Sequence, residues 1–295
     1  MAHILLLGKN GQVGWELQRA LAPLGRVTAC GHAECDLADS GLLRSVVRDT
    51  RPDAIVNAAA YTAVDRAEAE PAQAEAINAV APAVLAEEAQ RLGAWLVHYS
   101  TDYVFDGAKR APYGEDDRPN PLNVYGSSKL AGERAIATAA GRHLIFRTSW
   151  VFAARGGNFA KAILRLAGER DALKVVADQH GAPTSAELIA DVTAHCLRDV
   201  LRTPDDRRRG LYHLAAAGET SWHGYAKHIL TLAAAAGVAL KCAPEAVAPI
   251  ASDEYPLPAK RPANSRLDTG KLRQSFAIHL PDWTFHVGRM MAETL

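Results

Sequence analysis

Tyr125 and Lys129 lie four residues apart in the stretch Pro121-Leu-Asn-Val-Tyr-Gly-Ser-Ser-Lys129. If a helix begins there, their side chains stand one turn apart on a single face. A phenol titrates near pH ~10, and a neighbouring ammonium favours its phenolate and lowers that value. Such a pair can give a proton to a substrate oxygen, or take one, near neutral pH. The same spacing also decorates ordinary helix surfaces, so the surrounding elements decide between the two.

Those elements begin at the amino terminus. His3-Ile-Leu-Leu-Leu7 is a short apolar run without alternation, which predicts a strand buried on both faces. Gly8-Lys-Asn-Gly11-Gln-Val-Gly14 follows, and Val13, Leu17, Ala20, Leu21 and Leu24 then recur at helical spacing as far as Gly25. Glycines on a strand-to-helix turn permit a tight bend and let a pyrophosphate reach the backbone N–H groups at the helix start. Gly8, Gly11 and Gly14 are therefore candidates for dinucleotide binding. A second strand over Arg26–Cys30 would end near the adenosine ribose, where NAD-preferring sites carry an acidic residue. Gly31 and His32 stand there instead, so the reading leans to NADPH with NADH open. Asp36 and Leu37 are candidates to line the adenine.

The alternation continues. Ser40 can cap a helix carrying Leu42, Leu43, Val46 and Val47. Asp53 to Ala60 reads as strand three, Ala72 to Leu92 as a long helix, and Trp95 to Tyr99 as strand four. This predicts an α/β chain with a Rossmann-type, doubly wound parallel sheet whose ligands lie at the carboxyl ends of its strands. The rule puts Thr101 and Asp102 beside the cofactor. After Phe152 the rhythm loosens. Helices are expected over Asn158–Leu166, from the Gly181–Thr184 turn to Leu201, and over Ser221–Ala236. Strands are expected within Asp171–Ala177 and Gly210–Ala215. The expected division is an NAD(P)-binding domain over 1–150, which about 185–215 rejoin, and a smaller, interleaved α/β substrate-binding lobe over 151–295. Five prolines between Ala243 and Pro262 predict an extended loop. Lys260 and Arg261 lie there with no acidic neighbour in sequence, as a diphosphate clamp would.

Composition narrows the function. Of 295 residues, 33 are Lys or Arg and 33 Asp or Glu, for a formal net charge of zero. That argues against a general nucleic-acid or anionic-membrane binder. The one basic run, Arg207 to Arg209, follows Pro204-Asp205-Asp206 and reads as a solvated loop of mixed sign. Cys30, Cys35, Cys196 and Cys242 form no CxxC pair, which suggests reduced thiols. Neither a signal-peptide pattern nor an apolar run of ~18 residues is present, and a cytoplasmic location is expected.

In order and spacing, the glycine turn, Ser100-Thr101 and Tyr125-Gly-Ser-Ser-Lys129 resemble the extended short-chain dehydrogenase/reductase family. A narrower set resembles its dTDP-4-dehydrorhamnose reductase branch over essentially the whole chain. It comprises Gly11-Gln-Val-Gly-Trp-Glu-Leu17, Ser100-Thr-Asp-Tyr-Val-Phe-Asp-Gly107, Asn123-Val-Tyr-Gly126, Phe146-Arg-Thr-Ser-Trp-Val-Phe152, Asp178-Gln-His-Gly-Ala-Pro-Thr184 and Arg261-Pro-Ala-Asn-Ser-Arg-Leu267. The resemblance implies reduction of the 4-keto group of a nucleotide sugar by NADPH or NADH. Tyr125 would be the acid. Lys129 would lower its pKa and bind the nicotinamide ribose, and Thr101 would hydrogen-bond the carbonyl oxygen. Gly11, Gln12, Val13, Asp36, Leu37, Ala60, Tyr61, Thr62 and Tyr99 would line the cofactor. Thr101, Asp102, Trp150 and Arg261 would meet the substrate.

Some members of that branch hold Mg²⁺ at a homodimer interface through glutamates. The matching positions here are Glu16, Glu187 and Glu293, which sequence chemistry alone reads as solvated charges. Two other readings stay open: an epimerase or dehydratase of the same fold, and a cofactor-binding regulatory subunit without chemistry. A dehydratase is expected to carry an acid pair after the strand-four threonine, where this chain has Asp102 followed by Tyr103. A regulatory subunit would have lost Thr101, Tyr125 or Lys129.

Overall fold

The computed structural model describes residues 1–203 and 207–295, so Pro204, Asp205 and Asp206 of the mixed-charge loop lie outside the described residues. Six strands form one sheet: β1 (Ala2–Leu7), β2 (Gly25–Cys30), β3 (Ala54–Asn57), β4 (Trp95–Thr101), β5 (His143–Thr148) and β6 (Gly210–His213). Their order is β6-β5-β4-β3-β1-β2 and every pairing is parallel. The order turns back on itself between β1 and β3, and in such sheets the crevice at that reversal is where ligands bind.

Alternate side chains of each strand point to opposite faces, and both faces are covered. Ile4, Leu6, Val56, Val97 and Phe146 enter one core with Leu17 and Leu21 of α1 (Gln12–Leu21). Leu5, Leu7, Ile55, Leu96 and Ile145 enter a second core, with Leu43 and Val47 of α2 (Ser40–Thr50) and Val84 and Leu85 of α3 (Ala81–Leu92). Helix α4 (Val124–Ala139) follows β4, and α5 (Phe159–Glu169), α6 (Ala186–Arg202), α7 (Trp222–Ala235) and α8 (Trp283–Thr294) complete the longer helices. Helix α6 lies against α1, and β6 pairs with β5. Apart from β6, the strands beyond Thr148 are short pairs: Val151–Phe152 with Thr184–Ser185, Leu173–Val176 with Val247–Ile250, and His180–Gly181 with Thr220–Ser221. Among the described residues no helix is long and apolar enough to cross a membrane.

Four local expectations need correction. Asp39, one residue ahead of Ser40, caps α2, its carboxylate accepting from the N–H groups of Gly41 and Leu42 at 2.9 Å each. The helix expected over Ala72–Leu92 is broken by a π turn at Ala76–Val80 ahead of α3. Pro82 has no N–H to give the carbonyl of Asn78, and the wider turn accommodates that loss. The proline-rich stretch contains a strand, Val247–Ile250, in addition to loop. In the basic run, Arg208 lies 5.0 Å over the Phe276 ring and Arg209 donates to the Gly141 carbonyl, so neither is merely solvated.

Glu88 on α3 ties the second core to the surface. It is 1% exposed and accepts from Arg44, Arg48 and Arg91 at 3.1, 2.6 and 2.8 Å. The Arg48 bond, aided by those from Arg91 and Arg44 and opposed by burial, holds its pKa down at about 2, against an ordinary 4.5. A carboxylate depressed in the folded state stabilises fully above its unfolded value, and that contribution is lost as pH falls through the folded one. Wild-type protein is therefore expected to lose more stability than Glu88→Gln between pH 4.5 and about 2. Denaturant midpoints across that window measure the difference, and parallel curves for the two proteins would refute the assignment.

Candidate active site

A cleft of about 750 Å³ opens at the carboxyl ends of β1 to β5. At one end is the glycine turn. Gly8 is left-handed at φ +87°, and a Cβ on Gly14 would stand 1.9 Å from the Gly8 carbonyl oxygen, so only glycine fits there. Helix α1 starts at Gln12 after an extended Gly11, leaving its first N–H groups at the mouth of the cleft. Gly8, Gly11, Gln12 and Val13 line this end, Asp36 and Leu37 the neighbouring wall, and Ala60, Thr62 and Tyr99 the floor towards β4. Gly14 and Tyr61 stand behind the surface. The Tyr61 hydroxyl is committed to Glu70 at 2.5 Å. The bare glycine backbone, the small residues after β3 and the free helix start suit the pyrophosphate and flat rings of a dinucleotide.

At the other end Thr101, Asp102, Tyr125, Lys129 and Trp150 face the same space. Helix α4 begins one residue before Tyr125, so Tyr125 and Lys129 do share a face. The Thr101 hydroxyl stands close enough to the Tyr125 phenol to lower its pKa, accepts from the Tyr103 N–H at 3.1 Å and lies 3.2 Å from an Asp102 carboxyl oxygen. Lys129 is 2% exposed, and its ammonium donates to the Tyr99 carbonyl at 2.6 Å, with His98 Nε2 at 3.2 Å. Burial, partly offset by Glu133, brings its pKa down to about 8. Burial and the Lys129 charge push His98 well below the ordinary histidine range, so that ring is neutral.

The expected lowering of the Tyr125 pKa by Lys129 is not found in the free chain. Burial pushes the phenol up to about 12, with Thr101 lowering it and Asp102 raising it. The physical reason is direction: the ammonium is spent on the Tyr99 carbonyl and His98. Asp102, buried with one oxygen unpartnered, is itself raised to about 7 by burial, against bonds from Ser265 and Thr101.

Four contacts fix α4. Asn123 caps it, accepting from the Gly126 N–H at 2.8 Å and donating to the Lys260 carbonyl at 2.8 Å. Buried Asn78, on the π turn, bonds both backbone groups of Tyr61 and donates to Ser128 of α4 at 3.1 Å. A Cβ on Gly132 would stand 2.2 Å from the Asn78 carbonyl, the one that Pro82 cannot satisfy within its helix. One turn on from Lys129, Glu133 takes two bonds from Arg147 of β5 at 2.9 and 2.6 Å, with both side chains buried.

Trp150, at the end of β5, adopts a left-handed φ of +48°. Its ring stacks on Trp222 at 3.7 Å and 14°, and Gly181 leaves it room, since a Cβ there would be 2.7 Å from the indole. Such a conformation costs ~1–3 kcal/mol in a residue with a side chain and persists where packing imposes it. Trp222 also lines the cleft, although its sequence position suggested only a helix start. Arg261 does not reach the cleft surface. It pairs with Asp65 at 2.8 Å and lies 5.8 Å over the ring of Tyr103, which does line the cleft. Its acidic partner is thus 196 residues away in sequence, which is why the local sequence showed none.

Glu16, Glu187 and Glu293 come together around a separate groove of about 600 Å³. The expected magnesium ligand set does not assemble there. Glu16 pairs with Arg19 at 3.3 Å, Glu187 with Arg289 at 2.8 Å and His286 at 3.3 Å, and Glu293 lies 3.8 Å from Arg289. Cations of the chain itself pair with these carboxylates, and no group of three or more His, Cys, Asp or Glu among the described residues is placed to hold a metal.

Comparison with known proteins agrees with this geometry. The chain is 52% identical to the dTDP-4-dehydrorhamnose reductase of Escherichia coli (strain K12), over 99% of this chain and 97% of that relative. It is 50% identical to the protein of that name from Burkholderia thailandensis, over 99% of each. The crystal structure of dTDP-4-dehydrorhamnose reductase from Bacillus anthracis in complex with NADP superposes with a TM-score of 0.89 at 34% identity, covering 99% of both chains. The family described as RmlD substrate binding domain matches residues 1–295, and the chain belongs to it.

Proposed function

We propose that the protein is an NAD(P)H-dependent reductase converting the 4-keto group of dTDP-4-dehydro-L-rhamnose to the hydroxyl of dTDP-L-rhamnose. One observation carries the reading: Thr101, Tyr125 and Lys129 face the same cleft as a glycine turn that only glycine can form. The relatives' shared name supplies the substrate. When bound, the reduced nicotinamide supplies hydride to the carbonyl carbon.

The chain's own residues do the rest. Gly8, Gly11, Gln12 and Val13 would hold the pyrophosphate, with Gly14 behind them closing helix on turn, and Asp36, Leu37, Ala60, Thr62 and Tyr99 would frame the rings, with Tyr61 behind that wall. Tyr125 protonates the 4-oxygen. A phenol with its pKa near 12 is fully protonated at neutral pH, and a developing alkoxide is basic enough to take its proton. Thr101 steers that proton by hydrogen-bonding the phenol and the same oxygen. Lys129 would hold the nicotinamide ribose and steady the phenolate left behind once its ammonium turns from the Tyr99 carbonyl and His98, its partners in the free chain. Asp102 and Trp150 contact the sugar, while Arg261 supports Tyr103 from behind. Residues 1–150, rejoined by about 185–215, act as the cofactor domain, and the later segments as the substrate lobe. A cytoplasmic location and a homodimer belong to the same reading; the four buried free cysteines fit a reducing compartment.

Loss of reduced-cofactor absorbance on mixing the protein, NADPH and dTDP-4-dehydro-L-rhamnose tests the reading. Intact cofactor binding without turnover would instead favour the regulatory alternative. Tyr125→Phe is expected to lower kcat by a factor of about 10²–10⁴ while binding cofactor normally, since only the acid is lost. Near-normal kcat in that variant would show the acid to be another group. Lys129→Met is expected to weaken cofactor binding and turnover together, and binding equal to wild type would exclude the ribose contact.

A further inference from the structure

An acidic side chain does stand at the carboxyl end of β2, although not at the sequence position where one was sought. The Glu34 carboxylate accepts from the backbone N–H of Gly31 at 2.8 Å, which returns it to the residue that follows the strand. The same carboxylate is paired with Lys9, the second residue of the glycine turn. Gly31 permits this arrangement. A Cβ there would stand 2.7 Å from the side-chain nitrogen of Asn10 and 3.1 Å from Glu34 Oε2. The absence of an acidic side chain at position 31 thus makes room for one supplied from position 34. Gly31, His32 and Asn10 line the cleft at this point.

Charge and position give the pair a function. In folds of this class the acidic group after the second strand accepts from the adenosine ribose hydroxyls, whereas a nearby cation accommodates a 2′-phosphate. Here both groups are present at one point, each neutralising the other. The Lys9 bond, then that from the Gly31 N–H, holds Glu34 below the usual carboxylate range, so it is charged at neutral pH. Half-exposed ion pairs contribute little to stability, so the fold does not require this one. A ribose with a free 2′-hydroxyl would be met by the Glu34 carboxylate, which with Lys9 stands beside the lining residues Gly31 and Asn10, Lys9 compensating its charge. A 2′-phosphate repels Glu34 and takes Lys9 as its counter-ion, so the pair has to part.

We propose that Lys9 and Glu34 form an exchangeable ion pair through which this chain accepts both cofactors, Glu34 favouring the 2′-hydroxyl form and Lys9 the 2′-phosphorylated form. The inference rests on the dinucleotide reading of the cleft and adds to it the residues that set cofactor preference.

Equilibrium binding tests it without turnover, by titrating NADP⁺ and NAD⁺ separately into wild type, Lys9→Met and Glu34→Gln. Lys9→Met is expected to weaken NADP⁺ by about tenfold and to leave NAD⁺ nearly unchanged, because one charge-assisted contact to the phosphate is lost. Glu34→Gln is expected to shift the ratio the other way, tightening NADP⁺ and weakening NAD⁺. Raising the salt should weaken NADP⁺ binding to wild type and leave NADP⁺ binding to Lys9→Met nearly flat. If both variants bind both nucleotides in the wild-type ratio, the ion pair is surface decoration and the proposal is overturned. If wild type binds neither nucleotide, the dinucleotide reading fails and this inference fails with it. Unchanged far-ultraviolet circular dichroism in each variant separates these outcomes from misfolding.

Discussion

A carboxylate and a guanidinium, both shut away from water, hold the helix that carries Tyr125 and Lys129 against the central sheet. Glu133 and Arg147 are bonded twice over, and neither can be removed without leaving the other charged and buried, at a cost of ~3–5 kcal/mol. Replacing both with apolar groups need not destabilise the chain. What the pair supplies is direction: a two-point contact fixes the rotation of α4 about its axis. The same charge favours the Lys129 ammonium, one turn away, against the desolvation that lowers its pKa. Position and protonation at the candidate site therefore share one source.

The rest of the site is arranged around that helix by backbone contacts. Pro82 cannot donate to the Asn78 carbonyl, the helix widens just before it, and Gly132 of α4 closes on that carbonyl at a distance no side chain would allow. The Asn78 side chain then ties Tyr61, after β3, to Ser128 of α4. On the far side, the stretch from Arg261 to Leu267 is stitched to β-bridged segments. The His180 N–H donates to the Ala263 carbonyl at 2.8 Å and the Ser265 N–H to the His180 carbonyl at 2.7 Å. Motifs separated by more than a hundred residues thus share the walls of one cleft.

Much of this was legible before the fold was known, and the reasons are specific. Leu5 and Ile55 are apolar because both faces of a parallel sheet are covered. Gly8 and Gly14 are glycines because of a left-handed turn and a carbonyl too close for a Cβ. Where the reading erred, the deciding interaction was local at the α2 cap and mostly non-local elsewhere. Asp39 outcompeted Ser40 for the cap by a single register step. The partner of Arg261 came from Asp65, and the carboxylates of Glu16, Glu187 and Glu293 were taken by Arg19, Arg289 and His286. No window of local sequence contains the pairs of Arg261 with Asp65 or of Glu187 with Arg289 and His286, whereas Glu16 and Arg19 stand one helical turn apart.

From the sequence alone came the alternation of strands and helices, the glycine turn and the i, i+4 pairing of Tyr125 with Lys129. Each depends on backbone geometry within a few residues, where spacing and side-chain type are sufficient. Only the tertiary structure decided what the charges do. It turned the Lys129 ammonium to the Tyr99 carbonyl and His98, so the buried phenol rises to about 12 in place of the expected fall. It also brought Trp222 onto Trp150 and returned Glu34 to the end of β2. Electrostatic and stacking energies depend on distance through space and on burial, and neither quantity is set until distant segments pack.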